Sequence, residues 1–424
     1  MNRDLHNSRA ALDIGSTVVK VAMLDDAGRL LWQRFYDRDF DAGIVRQVES
    51  ILDSLSLSPD SDDIQVCSSA NGGLRVGIVS LTRRFSGAVL RDQALLAGAN
   101  PIFLHTFDEE PKHASYADIL LIGGGIDGED AWPMRERLER FDAEKYRYTT
   151  LMFAGNTYLA GEFRQRYPSA VVVANPLSRS LVRSGNSVFE TIRRAYLDDL
   201  VYKEGVSELR GSLALGIRPT PEVVSLGFQR AVLNNSAIEV IAPCLLLDIG
   251  GATTDAHYTV EILKDNNGAR PIPMAGTSVG RYVFTDLGIV ASRDSLLLQL
   301  RSHPRLFEFL STVLSDDITE KYRLFREGEY QPAPEVLAAG CLFLALDRFA
   351  QGRGPGLAAG DLSQVAQLIL TGGAAQALSE VIAEKVAGLL LPKSSKPAIL
   401  IDRKYQVWVE GMTFAGRKLA AAAV

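Results

Sequence analysis

Two aspartates in this chain stand at the ends of apolar runs, and each is followed by glycine and hydroxyl residues. The first set is Asp13-Ile14-Gly15-Ser16-Thr17, preceded by Ala11-Leu12. The second is Asp248-Ile249-Gly250-Gly251-Ala252-Thr253-Thr254-Asp255, preceded by Leu246-Leu247. An apolar run of this kind reads as a buried strand, which puts the aspartate where the strand reaches the surface. Glycine lets the backbone turn and approach a ligand closely. Hydroxyls and turn N–H groups together form a small anion nest. Two such turns facing each other would grip a polyphosphate and its metal from both sides.

In the first set, Asp13 can hold a magnesium ion through water, because Mg2+ keeps several of its waters. Gly15, Ser16 and Thr17 supply phosphate donors, and Lys20 can neutralise phosphate charge. An ordinary hairpin turn with a capping aspartate and a solvated strand lysine fits the same residues. The second set is the more specific. Gly250-Gly251 permits close backbone approach, Thr253 and Thr254 add hydroxyls, and Asp248 and Asp255 bracket the turn. One carboxylate could order metal-bound water and the other polarise an attacking water. The expected metal residues are therefore Asp13 and Asp248, and the expected catalytic residues Asp255 and Asp13. A plain Gly-rich turn between two strands is the alternative.

A further glycine turn, Thr371-Gly372-Gly373-Ala374-Ala375, follows the run Leu368-Ile369-Leu370 and precedes a helical pattern. Gly372 and Gly373 would let a flat base or ribose lie on the backbone at a helix N-terminus. Gly123-Gly124-Gly125-Ile126-Asp127-Gly128 reads as a strand-to-helix turn; a separate Rossmann-type site is conceivable there, but the spacing is not GxGxxG. Asn71-Gly72-Gly73 reads as a turn. Asp255-Ala256-His257 opens like the cobalamin-binding DxHxxG, yet Val260 stands at the glycine position, so His257 is not expected to ligate cobalt.

The elements that must position these residues follow from periodicity. Residues 10–36 read as strand, turn, strand, turn, strand, with Asp25-Asp26-Ala27-Gly28 as a hairpin signal. A helix follows at 41–56. Strands and helices then alternate, with strands at Ile64–Ser68, Val76–Leu81, Ile102–His105, Ile119–Ile122, Leu151–Ala154 and Val171–Ala174. Helical patterns fall at 86–98, 131–142, 157–166 and 186–202. This alternation implies parallel sheet with helices on its faces. Ile217-Arg218-Pro219-Thr220-Pro221 reads as a connection, and a helix at 222–232 leads to the strand ending at Asp248. Past Asp255, strand segments continue to about 263 and a loop follows at Lys264–Gly268. From 292 the pattern is mainly helical, interrupted by strands at Gln367–Leu370 and Ala398–Asp402.

At 424 residues the chain is long enough for two or three units. Its net charge is −6 and it has no Lys/Arg-rich run, so nucleic acid is not an expected partner. Met1–Ala10 lacks an apolar core, so no secretory signal is expected. The longest apolar stretch, Val336–Leu346, stops at Asp347, short of the ~20 residues a membrane span needs. Cys67, Cys244 and Cys341 lie far apart without a CxxC pair. Buried free thiols in a reducing cytoplasm are expected, rather than a disulfide framework or a zinc site.

Taken in order, phosphate turn, second phosphate turn and Gly-Gly turn resemble the ATPase superfamily of actin, Hsp70 and the sugar kinases. Asp13–Thr17 is similar to its first phosphate motif, Asp248–Asp255 to its second in nearly the Hsp70 form, and Thr371–Ala375 to its adenosine motif. The implied fold is α/β, an actin-like two-lobed ATPase with an inserted α/β subdomain. Residues 1–106 with 385–424 would form lobe I, 107–205 the inserted subdomain, and 206–384 lobe II with the second phosphate and adenosine motifs.

A closer resemblance runs over most of the chain and is weakest in 300–360. Ser68-Ser69-Ala70-Asn71-Gly72-Gly73-Leu74-Arg75, Ile119–Gly128, Ala154-Gly155-Asn156, Asp248–His257 and Thr285-Asp286-Leu287-Gly288 look like the accessory-protein family of glutamate (methylaspartate) mutase. That family, called MutL, is unrelated to mismatch repair. The resemblance implies an ATP-dependent accessory or reactivating chaperone, with an adenosylcobalamin-dependent mutase or aminomutase as its partner and ATP/ADP and Mg2+ as cofactors. The cofactor-binding residues would be Asp13, Gly15, Ser16, Thr17, Lys20, Gly250, Gly251, Thr253, Thr254, Gly372 and Gly373. A small-metabolite kinase and an actin-like scaffold ATPase are the other readings. An iron–sulfur dehydratase activator would need clustered cysteines, and these are scattered. Self-association into a homo-oligomer is compatible with these motifs.

Overall fold

Each aspartate turn joins the first two strands of a mixed sheet. In the first sheet, β1 (Arg9–Ile14), β2 (Val18–Leu24) and β3 (Leu30–Asp37) form an antiparallel meander. Helix α1 (Ile44–Ser54) returns the chain, burying Ile44, Val48, Ile51 and Leu52 along one stripe. Strand β4 (Ile64–Ser68) then lies parallel to β1 on its other side, and β10 (Ile217–Pro219) lies parallel to β4, giving the order β10-β4-β1-β2-β3. The computed structural model describes residues 9–413 except 16, 26, 40, 59–60, 62, 70–73, 110, 112–114, 178–186, 205–212, 214–215, 234–235, 237, 265–278, 315–317, 355–356 and 393–395. Ser16, the expected turn at Asn71–Gly73 and most of the expected loop after Lys264 therefore lie outside the described residues.

The same plan recurs further along the chain. Strands β11 (Cys244–Ile249), β12 (Thr254–Thr259) and β13 (Val279–Phe284) form an antiparallel meander. Strand β14 (Gln367–Thr371) runs parallel to β11, and β15 (Ala398–Ile401) runs parallel to β14. Counted outward from the strand that carries the aspartate, both sheets have one order and one set of directions. The duplicated order makes this the α/β fold of the actin-like ATPases.

Between the two sheets in sequence lies a third, made of β5 (Arg75–Ser80), β6 (Asn100–Thr106), β7 (Ala117–Gly124), β8 (Tyr148–Gly155) and β9 (Val171–Val172). It is wholly parallel, in the order β6-β5-β7-β8-β9. Helices α2 (Ala88–Leu96), α3 (Trp132–Arg140) and α4 (Ala160–Arg166) provide crossovers, and α5 (Ser187–Glu204) follows β9. Parallel neighbours need such connections, as the alternating pattern requires.

Helix α6 (Thr220–Val232) leads from the first sheet towards the second. After β13 come α7 (Arg293–Ser302), α8 (Leu306–Val313), α9 (Ile318–Glu327) and α10 (Pro334–Gln351); α11 (Glu380–Leu390) lies between β14 and β15. The apolar stretch Val336–Leu346 falls inside α10 and is buried around its whole circumference. No described helix is long and apolar enough to cross a membrane. Close packing fixes one further feature: a Cβ on Gly227 of α6 would stand 1.8 Å from the carbonyl oxygen of Val407, in the helical stretch 406–413.

Three sequence expectations need correction. The sequence places 385–424 in lobe I, but β15 is bonded to β14 and so belongs to the second of the duplicated sheets. An apolar strand goes where an edge is open to it, and that edge is β14. The third sheet begins at Arg75 rather than at residue 107, because β5 and β6 pair with β7 and with each other. Finally, Ile217–Pro219 is a strand and not a connection; proline is tolerated there because β10 is the edge of its sheet.

Candidate functional site

Both aspartate turns close on the same hydrogen bond. Gly15 N donates to Val18 O at 2.9 Å, and Gly250 N donates to Thr253 O at 2.9 Å. A Cβ on either glycine would press on that carbonyl oxygen, at 2.9 Å in the first turn and 3.1 Å in the second. The glycines are thus explained by a close approach within the turn itself.

In the first unit Asp13 is only 1% exposed. Strand register places it opposite Lys20 on β2 and Cys67 on β4. Its Oδ2 lies 2.6 Å from Lys20 Nζ, and its Oδ1 accepts hydrogen bonds from Thr220 Oγ1 at 2.5 Å and Cys67 Sγ at 3.4 Å. Lys20 therefore sits beside Asp13 as its counter-ion, as a buried carboxylate requires. Thr220 was missed in the sequence because it arrives from a distant segment; its only local signal is its place just before Pro221, at a helix start. Behind the turn, Arg38 Nη1 donates to Gly15 O at 2.8 Å and Arg38 N to Thr17 O at 3.0 Å.

In the second unit, Asp248 is opposite Asp255 on β12 and Thr371 on β14. Asp248 is half-buried at its strand end, whereas Asp255 is 7% exposed. Arg281 of β13 donates Nε to Asp255 Oδ1 at 2.8 Å and Nη2 to the same oxygen. Thr253 Oγ1 donates to the other oxygen at 3.2 Å. Asp255 thus braces Thr253 and serves as counter-ion to Arg281. Arg281 was legible only as a lone charge in an apolar strand. Thr254 differs from expectation: it is fully buried and its Oγ1 donates to Leu287 O at 2.8 Å, so its hydroxyl serves the fold.

The Gly-Gly turn is packed against the second aspartate turn. Gly372 has φ +91°, and a Cβ there would lie 2.2 Å from Asp248 Oδ1. Gly373 would meet nothing within 4 Å. Thr371 Oγ1 reaches Asp402 Oδ2 at 3.3 Å, and Asp402 in turn accepts from Gln406 N and Val407 N, capping the stretch 406–413. The second unit thus brings together Asp248, Gly250–Thr253, Gly372 and Gly373.

Beside them, His257 is 1% exposed, with Nδ1 3.1 Å from Ser225 Oγ. Burial, and then the Arg281 charge, hold its pKa well below the ordinary 6.5. The three cysteines are buried and form no disulfide, and burial pushes the Cys244 and Cys341 thiols up to about 12.

The second turn fits a phosphate. Gly251, Ala252 and Thr253 are partly exposed, and among the described residues nothing accepts a hydrogen bond from their N–H groups. Three consecutive open donors make an anion nest. Asp248 beside them suits Mg2+, which commonly takes one or two carboxylates and completes its shell with water and phosphate oxygens.

Against known proteins, a family model described as MutL protein matches residues 10–424. The chain belongs to the MutL family. Protein MutL of Clostridium tetanomorphum is 26% identical over 306 residues, which cover 67% of this chain and 65% of that protein. This MutL-family chain therefore spans somewhat less than two-thirds of that relative's length. Among solved structures, the Acidaminococcus fermentans (R)-2-hydroxyglutaryl-CoA dehydratase component A is 11% identical, covering 98% of this chain and 99% of its own, with a TM-score of 0.33. A glycerol dehydratase reactivase is 11% identical, covering 97% and 100%, with a TM-score of 0.35. Gluconate kinase of Lactobacillus acidophilus is 11% identical, covering 98% and 90%, with a TM-score of 0.36. At such scores the fold of this MutL-family member rests on its sheet topology.

Proposed function

We propose that this protein is a nucleotide-dependent accessory factor that reactivates an adenosylcobalamin-dependent mutase or aminomutase. The observation that carries the nucleotide part is the pair of equivalent aspartate turns, closed by the same hydrogen bond, one of which presents open N–H donors beside Asp248. Membership of the MutL family supports the accessory part. In the first unit Gly15–Thr17 is assigned to phosphate and Asp13 to magnesium; in the second, Gly250–Thr253 to phosphate, Gly372 and Gly373 to the adenosine and Asp248 to magnesium. The metal would supply charge neutralisation for the phosphates. The protein's share is orientation, with Lys20 and Thr220 holding Asp13, and Arg281 holding Asp255 beside Thr253. The partner surface is assigned to the segment inserted between the two equivalent sheets, where Trp132 and Tyr158 are 57% and 69% exposed.

The test has two arms. Thermal melting with and without millimolar Mg·ATP or Mg·ADP reads nucleotide binding, which must raise the midpoint. Co-purification with a cobalamin mutase, followed by recovery of its hydroxocobalamin-blocked form with adenosylcobalamin and Mg·ATP, reads the accessory role. Failure to associate in any nucleotide state, combined with phosphorylation of a small metabolite, would replace this reading with the kinase one.

A further inference from the structure

The open donors of the second turn have a cause on its other side. A peptide plane that turns its N–H outward turns its carbonyl inward, and each inward carbonyl needs a donor. The segment just after β13 supplies them. Val290 N and Ala291 N donate to Gly251 O at 2.8 and 2.9 Å, and the Ser292 hydroxyl lies between two carbonyls, Ala252 O at 2.6 Å and Thr285 O at 2.9 Å, the shorter approach being to Ala252. Ile289 N reaches toward Gly250 O at 3.4 Å. Gly288 makes this approach feasible: a Cβ on it would stand 2.4 Å from Ala252 C and 2.7 Å from Gly251 O.

The segment is itself tethered. Arg348 of α10 donates to both oxygens of Asp286, at 2.7 and 2.6 Å, and Gln299 of α7 donates to Asp286 Oδ2 at 2.9 Å. The first unit repeats the device at the same topological place, since Arg38, just after β3, holds the carbonyls of Gly15 and Thr17.

We infer that Ser292 is a positioning residue for anion binding: with the backbone of 290–291 it holds the carbonyls of Gly251 and Ala252, and so fixes the N–H groups that share those peptide planes, Ala252 N–H and Thr253 N–H, in their phosphate-accepting direction. Ser292 touches no ligand in this scheme. It acts through the Ala252 peptide, and Gly288 acts by leaving room for it. The assignment rests on the nucleotide reading above but needs only a phosphate-bearing ligand.

The experiment titrates wild type, Ser292→Ala and Ser292→Thr with Mg·ATP, adenosine and inorganic tripolyphosphate by calorimetry, with melting temperatures measured alongside. Losing one hydrogen bond should weaken ATP and tripolyphosphate binding to Ser292→Ala by about three- to ten-fold. Adenosine affinity and the ligand-free melting temperature should stay near wild type, and Ser292→Thr should restore phosphate binding. Gly288→Ala, which crowds both carbonyls, should lose more than Ser292→Ala. Equal tripolyphosphate affinity in wild type and Ser292→Ala would overturn the assignment, as would parallel losses of ATP, adenosine and melting temperature. Should tripolyphosphate discriminate the variants while ATP binds none of them, the positioning role stands and the nucleotide reading fails.

Discussion

Residue types near the two turns divide into those that face a ligand and those that hold them. Asp255 and Arg281 form a buried pair, so removing one partner leaves a charge without its complement. Asp255→Asn should therefore destabilise the fold by about 3 kcal/mol in urea unfolding. Asp248→Asn, at a half-buried strand end, should change stability by less than about 1 kcal/mol while losing most of the magnesium-dependent part of nucleotide binding. A reversed ranking would exchange their roles. His257 gives a pH prediction. Its pKa in the fold lies below the unfolded value of 6.5, so the unfolded chain binds the extra proton as pH falls. Stability from this group is complete above about pH 6.5 and is lost progressively on acidification towards the folded pKa. Subtracting the stability–pH curve of His257→Phe from that of wild type should show a slope of about one proton in this window. A flat difference would mean that His257 is charged in the fold.

At the scale of elements, glycine marks the places where backbones meet. Gly227 lets α6 approach the stretch 406–413 so closely that an alanine methyl would strike Val407 O. Arg230 of α6 also lies 3.3 Å from Glu410. Gly227→Ala should cost about 2 kcal/mol or more through forced separation of these elements, read as a lowered urea midpoint with unchanged m-value. Gly372→Ala acts differently. It imposes a left-handed φ on a residue with a Cβ and pushes that Cβ onto the Asp248 carboxylate. Its expected outcome is loss of nucleotide binding together with a destabilisation of about 1–2 kcal/mol, whereas Gly373→Ala, which meets nothing, should keep wild-type stability.

The whole molecule has two sheets of one topology and a wholly parallel third sheet. The duplicated sheets carry the aspartate turns, and among the described residues the third carries no such turn. A ligand that binds only the native state stabilises it by mass action, by about 2.7 kcal/mol at a hundred times its Kd. Mg·ATP should therefore raise the melting temperature by several degrees. Asp248→Asn should reduce that rise more than it lowers the ligand-free midpoint. An identical rise with adenosine alone would place the gain on the base and remove the phosphate turns from the account.

Much of this was legible in the residues themselves. The turns at Asp13 and Asp248, the strands that end in them, and the alternation between residues 64 and 202 are all local patterns, set by hydrophobic period and by where glycine is needed. Both turns are legible as turns because the hydrogen bond that closes each spans only from one residue to the third after it. The partners of the carboxylates were not legible. Thr220 meets Asp13, Arg281 meets Asp255 and Ser292 meets Ala252 only because strand pairing brings distant segments side by side, and no local pattern encodes a neighbour across a sheet. For the same reason the last strand, Ala398–Ile401, was placed with the wrong lobe: its sequence says that it is a strand, and only the open edge of β14 decides where it pairs.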